Sequence, residues 1–172
     1  MVTTDKVYQM SVECPYWVTD HLAGCGLPAP CTVRRLAKEG IVHVVVLVES
    51  HEVYDYWPNI EAYFEALSAH GMGHSWLPTP DDGAPDPDDA IRVFEHVYRL
   101  EKLGAKTLFH CYGGISRSPT VITAYLIAKG LKLEEALRMV RRANPYASFT
   151  DEQVLFIEMF EKFYSGALLK QS

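Results

Sequence analysis

The chain has 172 residues, of which 48% are hydrophobic, and its formal net charge is −6. This length and apolar content predict one globular domain with a sizeable core. The negative charge argues against a nucleic-acid or anionic-membrane surface, because both require clustered cations. No apolar run approaches membrane-spanning length, and the first residues lack the pattern of a secretory signal, so we expect a cytoplasmic protein.

The first half of the chain alternates predicted strands with predicted helices. Lys6–Glu13 alternates between apolar and polar residues like an edge strand. Ile41–Val48 is an apolar run bounded by polar residues, which is typical of a central strand. Helical spacing and turn residues predict two short helices and a further strand, at Cys31–Glu39, Pro58–Leu67 and His74–Leu77.

The second half opens with a loop, 78–87, that is rich in proline, aspartate and glycine. A predicted helix follows at Asp88–Leu103, with Asp86 as its N-cap. The chain then continues with a buried strand at Thr107–Phe109 and with helices at Pro119–Lys129, Leu133–Ala143 and Asp151–Tyr164. This alternation predicts a single α/β domain in which helices flank a central, mostly parallel sheet, with a helical C-terminal part.

The segment 110–118, His-Cys-Tyr-Gly-Gly-Ile-Ser-Arg-Ser, joins the buried strand to the next predicted helix, with Ser118 as N-cap and Pro119 as first helical residue. Backbone N–H groups of such a turn converge on its centre and the helix dipole adds positive potential, so we expect the loop to bind phosphate. The same environment favours the thiolate of Cys111, which is the nucleophilic form. Arg117 offers a planar fork that matches two phosphoryl oxygens.

The other residues of this loop also have expected roles. Gly113 and Gly114 permit backbone angles and a close approach that a side chain would block. The Ser118 hydroxyl can donate to the sulfur when a covalent intermediate breaks down, and it also suits a helix cap. His110 is expected to orient the loop rather than act as a base, since a thiolate needs none. The residues assigned to phosphate binding are His110, Tyr112, Gly113, Gly114, Ile115 and Ser116.

The pattern His-Cys-x5-Arg-Ser resembles the signature of cysteine-dependent protein tyrosine phosphatases, and Gly-Ile-Ser-Arg-Ser-Pro-Thr resembles its dual-specificity branch. Tyr16–Val18 and Leu22–Pro28 are similar to the N-terminal segment of small atypical dual-specificity phosphatases and compact archaeal tyrosine phosphatases. Pro80–Pro85 resembles their general-acid loop. The resemblance covers nearly the whole chain, from about Trp17 onward.

This resemblance implies a protein tyrosine phosphatase-like fold and activity on phosphorylated proteins. We expect a monomer, although the sequence leaves the oligomeric state open. The reaction implied is hydrolysis of phosphotyrosine, with phosphoserine and phosphothreonine as further substrates, through a cysteinyl-phosphate intermediate. No metal and no cofactor are expected.

The general acid is assigned through the same resemblance. The departing oxygen needs a proton from a carboxylic acid on a mobile segment, which we expect to be the loop 78–87. Asp81, which follows a proline, matches the family's acid, and Asp82 is the alternative.

Two residues outside both loops are assigned in the same way. Gln153 resembles the glutamine that positions the hydrolytic water, although Thr150 and Gln153 also have the spacing of a capping box. Glu49, at the end of a predicted strand, resembles the acidic residue that holds the loop arginine in place.

Two other classes of function share parts of this pattern. A phosphoprotein-binding module of the same fold would bind the anion without turnover, and a sulfur- or arsenic-handling enzyme would use a similar loop. Cys14, Cys25 and Cys31 form no Cys-x-x-Cys pair, so zinc is not expected. These three cysteines are reduced in an ordinary cytosol, whereas in a hyperthermophile a disulfide among them is an alternative.

Overall fold

A mixed sheet lies at the centre of the computed structural model, which describes residues 12–170. Its strands are Tyr16–Thr19 (β1), Leu22–Cys25 (β2), Ile41–Val46 (β3), Gly73–Trp76 (β4) and Lys106–His110 (β5). Their spatial order is β1-β2-β5-β3-β4. β1 and β2 pair antiparallel, and the other pairs are parallel. The predicted central, mostly parallel sheet is therefore confirmed.

Helices cover both faces of this sheet. They are Pro30–Lys38 (α1), Ile60–Ala69 (α2), Pro87–Lys102 (α3), Arg117–Ala128 (α4), Leu133–Ala143 (α5) and Asp151–Tyr164 (α6), with 3₁₀ turns at Ser50–Asp55 and Ala167–Lys170. The observed bounds of α5 and α6 are those predicted, and α3 begins at the predicted cap, where the Asp86 carboxylate accepts from the N–H groups of Asp88 and Asp89.

The strand alternation divides the core into two layers, because successive strand residues point to opposite faces. Val45 and Phe109 pack with α3, α4, α5 and α6 on one face. Val44, Val46 and Leu108 pack with α1 and α2 on the other. Every residue of α4 is buried, so this helix is fixed between the sheet and the outer helices.

The N-terminal part differs from the sequence prediction. Most of the predicted strand Lys6–Glu13 lies outside the described residues, and its last two residues, Val12 and Glu13, belong to no strand or helix. β1 and β2 were not predicted as strands. Each has only four residues, which is too short for a period of two to stand out.

The start of α4 also differs from the prediction. The helix begins at Arg117 with Ser116 in the cap position, so Ser118 is not the N-cap and Pro119 is not the first helical residue. The reason is that the Ser116 carbonyl already accepts the N–H of Thr120, which closes the first turn two residues early. Pro119 is tolerated there because the first N–H groups of a helix have no intrahelical partner.

Gly24 on β2 is required by the side chain that crosses it. It lies directly opposite Tyr16 in the β1–β2 pair, and a Cβ at position 24 would lie 2.2 Å from the Tyr16 ring. At Gly73 on the edge strand β4, the closest atom to an added Cβ is His43 Nδ1 at 3.2 Å.

We expect Gly24→Ala to lower the free energy of unfolding by about 2–3 kcal/mol, because the buried phenol must move to make room. Gly73→Ala, the matched change on an open strand, should cost less than about 1 kcal/mol. Urea denaturation of both variants measures the difference, and equal losses would contradict the steric account.

Candidate active site

The segment between β5 and α4 lies at the carboxyl end of the central strands. Cys111 follows β5 directly and is 2% exposed. A cavity of about 210 Å³ opens above it. Its lining brings together most of the predicted residues, namely Asp81, Asp82, Cys111, Tyr112, Gly113, Ile115, Ser116 and Arg117.

Four carbonyl groups of this loop are bonded to partners outside the cavity. Their partners are the Leu27 N–H for Tyr112 at 2.8 Å, Asn144 Nδ2 for Gly114 at 2.9 Å, the Ser148 N–H for Ile115 at 2.8 Å and the Thr120 N–H for Ser116 at 3.1 Å. In a planar trans peptide the N–H points opposite to the C=O. The N–H groups that follow these carbonyls therefore face the interior of the loop, where they can bind an anion.

Two glycines permit the close approach between this loop and the end of β2. Gly114 has φ +76°, in the left-handed region, and a Cβ there would lie 2.7 Å from the backbone N of Gly26. A Cβ on Gly26 would lie equally close, at 2.7 Å from the Tyr112 carbonyl. Backbone atoms cannot move aside as side chains can, so both positions exclude larger residues.

The sulfur of Cys111 has two polar neighbours. The Gly114 N–H donates to Sγ at 3.2 Å, and the thiol lies 3.4 Å from Ser118 Oγ, to which it donates. Both contacts can also support a thiolate, because the serine hydroxyl is free to reverse and donate to the sulfur.

His110 is buried behind the nucleophile and orients the loop. Its Nδ1 lies 2.9 Å from the Cys111 carbonyl, so this nitrogen carries the proton, and its Nε2 accepts from the Tyr63 hydroxyl at 2.8 Å. Burial lowers the pKa of His110 to about 4, so the ring is neutral at pH 7. Tyr63 was not assigned a role from the sequence, where it is one aromatic residue in a helix.

Arg117 is held by a bidentate pair with Glu52. Nη1 and Nη2 donate to the two Glu52 oxygens at 2.8 and 2.7 Å, and Nη1 also donates to the Thr79 carbonyl at 2.9 Å. Burial by itself raises the pKa of Glu52, but its hydrogen bonds to Arg117 hold it below the ordinary value. Burial likewise lowers the pKa of Arg117, but Glu52, Cys111 and Asp81 together raise it above its ordinary value.

The prediction that Glu49 holds the loop arginine is wrong, because the partner is Glu52. Glu49 instead caps the 3₁₀ turn Ser50–Asp55, and its N–H donates to Glu52 Oε2 at 2.7 Å. Residues three apart eclipse each other in a 3₁₀ turn. The Glu52 carboxylate therefore lies beside Arg117 after β3, in the place that the sequence analysis assigned to Glu49.

The loop 78–87 brings Asp81 to the mouth of the cavity. Asp81 Oδ1 lies 3.5 Å from Arg117 Nη2, and its side chain is 78% exposed. Asp82 has φ +59°, and its carbonyl accepts from Thr150 Oγ1 at 2.8 Å, so its backbone is tied to the start of α6. Both aspartates line the cavity, and Asp81 is the one in contact with the guanidinium.

Gln153 joins the two loops and caps α6 as well. Its Oε1 accepts from the Thr150 N–H and from Ser116 Oγ, both at 2.9 Å, and its Nε2 donates to the Gly83 carbonyl at 3.0 Å. The predicted capping box with Thr150 is confirmed. The Gln153 side chain is fully buried and connects the loop 110–118 with the loop 78–87.

Two further residues contact the site in ways that the sequence did not predict. Asn144, after α5, donates to the Gly114 carbonyl, as described above. Tyr16, on β1, lies with its hydroxyl 3.2 Å from Ser118 Oγ. Both are far from the loop along the chain, and only the packing of α5 and β1 against it places them there.

The other groups that the sequence raised are located as follows. Cys14, Cys25 and Cys31 carry free thiols, as in the reduced alternative. In the part of the chain that the structure describes, no group of three or more His, Cys, Asp or Glu side chains is arranged to hold a metal ion. Between residues 12 and 170, no helix is long and apolar enough to cross a bilayer.

Comparison with known proteins agrees with this geometry. Residues 58–162 match the family described as dual specificity phosphatase, catalytic domain. The chain belongs to this family.

The relatives differ in how much of the chain they match. Protein tyrosine phosphatase type IVA 2 of Mus musculus is 33% identical over 84 residues, which are 46% of this chain and 49% of that protein, so the match spans about half of the relative's length. Phosphatidylglycerophosphate phosphatase PTPMT2 of Arabidopsis thaliana is 27% identical over 162 residues, covering 92% of this chain and 68% of that protein.

A solved structure has the same fold. The crystal structure of Tk-PTP in the active form superposes with a TM-score of 0.76 at 31% identity, covering 87% of this chain and 97% of that one. The predicted protein tyrosine phosphatase-like fold is confirmed.

We expect Glu52→Ala to lower the free energy of unfolding by about 3 kcal/mol, because the buried Arg117 charge loses its bidentate carboxylate and keeps only the Thr79 carbonyl and the exposed Asp81 nearby. Glu49→Ala is the matched control, three residues away, and should cost about 1 kcal/mol or less, as for loss of a cap. Urea denaturation at pH 7 measures both. A larger loss for Glu49→Ala would show that the pairing described above is wrong.

Proposed function

We propose that the protein hydrolyses phosphomonoesters of phosphorylated proteins, with phosphotyrosine as a substrate and phosphoserine and phosphothreonine as further candidates. The observation that carries this proposal is the loop in which the carbonyls of Tyr112, Gly114, Ile115 and Ser116 bond outward, with the Cys111 sulfur at its base and the Arg117 guanidinium at its side. Family membership supports the same reaction class.

In the first step, the Cys111 thiolate attacks phosphorus in line with the leaving oxygen. The S–P bond forms as the P–O bond to the alcohol or phenol breaks, and Asp81 gives that oxygen its proton. The inward N–H groups and Arg117 bind the three equatorial oxygens, over which the charge of the transferring phosphoryl group is spread. Glu52 keeps the guanidinium in the orientation that this requires.

In the second step, water attacks the cysteinyl phosphate. The Asp81 carboxylate takes the proton of the water, the S–P bond breaks, and the thiolate leaves with inorganic phosphate as the other product. Gln153 is proposed to place this water because of its resemblance to the family's glutamine, and to do so its amide must exchange one of its buried hydrogen bonds to Ser116 and Gly83 for the water. Ser118 is proposed to donate to the departing sulfur.

The charge around the cavity favours a protein substrate over an anionic lipid. A second cavity of about 350 Å³ adjoins the first and is lined by His51, Glu52, Tyr54, Asp55, Asp81 and Tyr112. Among the described residues that line the two cavities, Arg117 is the one permanent cation. An anionic bilayer would be repelled by this rim. The Arabidopsis relative is nevertheless named for a lipid phosphate, so a lipid belongs in the test.

The experiment compares release of inorganic phosphate from peptides that carry each of the three phosphorylated amino acids and from phosphatidylglycerophosphate in vesicles. We expect the phosphotyrosine peptide to be hydrolysed, and Cys111→Ser to reduce its hydrolysis by at least about a thousandfold while the folded protein still binds phosphate. Preferential hydrolysis of the lipid would replace the proposed substrate class.

The same measurement separates the rival functions. A wild-type protein that binds phosphopeptides without releasing phosphate would be a binding module, and oxidation of its thiols that depends on arsenate would indicate a sulfur- or arsenic-handling enzyme. The monomeric state and the cytoplasmic location remain predictions from the sequence.

We expect Asp81→Ala to slow hydrolysis of phenyl phosphate, whose phenolate is a poor leaving group, by about a hundredfold or more. With 2,4-dinitrophenyl phosphate, whose leaving oxygen needs no proton, the loss should be less than about tenfold, because general acid catalysis contributes little there. Asp82→Ala is the control and should show no such dependence on the leaving group. The opposite pattern would make Asp82 the acid.

A further inference from the structure

The Tyr16 hydroxyl belongs to a buried chain of hydrogen bonds that leads to the nucleophile, and the Asn144 side chain is a further partner of this hydroxyl. The Tyr16 hydroxyl lies 3.2 Å from Ser118 Oγ, which in turn lies 3.4 Å from Cys111 Sγ. The Tyr16 side chain is 2% exposed and Ser118 is fully buried, so water does not compete for these contacts. The proposed reaction described above uses Ser118 but gives Tyr16 no role.

The position of the phenol is fixed by backbone contacts. Tyr16 lies opposite Gly24 in the β1–β2 pair, and its ring crosses β2 over that glycine, with ring atoms 2.2 to 2.6 Å from where a Cβ would be. The ring reaches the start of α4 only because position 24 has no side chain. The pairing of β1 with β2 and the absence of a side chain at Gly24 together therefore bring the Tyr16 hydroxyl to Ser118.

The charge on the sulfur decides the direction of this chain. A thiol can donate to Ser118, but a thiolate can only accept, so the serine proton must then point at the sulfur. With its proton committed in this way, Ser118 Oγ is left as an acceptor toward Tyr16, and the Tyr16 O–H can donate to it. Burial raises the pKa of Tyr16, which keeps this proton on the phenol. When the Tyr16 O–H donates to Ser118 Oγ, it also strengthens the hydrogen bond that the Ser118 O–H donates to the Cys111 sulfur.

We propose that Tyr16 is a positioning residue that holds the Ser118 hydroxyl toward the Cys111 sulfur and so speeds departure of the thiolate from the cysteinyl phosphate. The inference rests on the proposed function. It concerns the second step, because only there does negative charge grow on the sulfur; in the first step that charge is lost as the S–P bond forms.

The test is Tyr16→Phe, which deletes one hydroxyl from the chain. The matched control is Tyr125→Phe in the same buried core, where the hydroxyl donates to Glu101, away from the site. With p-nitrophenyl phosphate we expect Tyr16→Phe to lower kcat about three- to tenfold and kcat/KM less than about twofold. A burst of p-nitrophenol in stopped flow should grow, because the intermediate accumulates. Tyr125→Phe should change none of these.

A double-mutant cycle with Ser118→Ala isolates the connection. If Tyr16 acts through the serine, Tyr16→Phe has no further effect on kcat in the Ser118→Ala background. An equal loss in both backgrounds, or a loss of kcat/KM as large as that of kcat, would overturn the proposal and leave Tyr16 a packing residue. Should Tyr16→Phe not fold, 3-fluorotyrosine at position 16 replaces it. This more acidic donor should raise kcat and shrink the burst, and an unchanged or lower kcat would overturn the proposal.

These experiments also distinguish failure of the role of Tyr16 from failure of the proposed function. A wild-type protein without Cys111-dependent phosphate release would overturn the proposed function itself. An active wild type whose Tyr16→Phe variant matches the Tyr125→Phe control would overturn only the role of Tyr16.

Discussion

The site depends on one constraint of the peptide group, which cannot turn its C=O and its N–H to the same side. In the loop after β5, each carbonyl from Cys111 to Ser116, apart from that of Gly113, has a hydrogen-bond partner outside the cavity. These partners come from the segment after β2, from His110, from α4 itself, and from the segment between α5 and α6. The orientation of the N–H groups in this loop is therefore a product of the surrounding scaffold.

A second set of contacts holds Arg117 and the loop that carries Asp81 at the cavity. The Glu52 carboxylate and the Thr79 carbonyl hold the guanidinium of Arg117, and Thr79 belongs to the loop 78–87 that carries Asp81. Gln153 ties that loop to the phosphate-binding loop from the other side. Arg117, the loop that contains Cys111 and the loop that carries Asp81 are thus joined by one set of contacts.

The residues of the loop and most of the fold could be predicted from the sequence. Cys111, Arg117 and their glycines are a local pattern, and a strand–loop–helix context gives that pattern its chemistry. The helices were found for the same reason, since caps such as Asp86 and periodic apolar residues act over a few positions. The errors were also local. Ser118 was predicted as the cap of α4, but the cap is Ser116. The 3₁₀ turn that places Glu52 rather than Glu49 beside Arg117 has only six residues, which are too few for a periodic pattern.

The amino-acid sequence by itself determined the chemical groups of the site, because a thiol, a guanidinium and two glycines at fixed spacing meet within a single turn. Only the tertiary structure decided which distant side chains support them: Glu52 for the arginine, Asn144 for the loop carbonyl, and Tyr16 for the serine beside the sulfur. The physical reason is that each of these contacts joins residues far apart in the chain, and its existence depends on how β1, the 3₁₀ turn and α5 pack against the central sheet and helix.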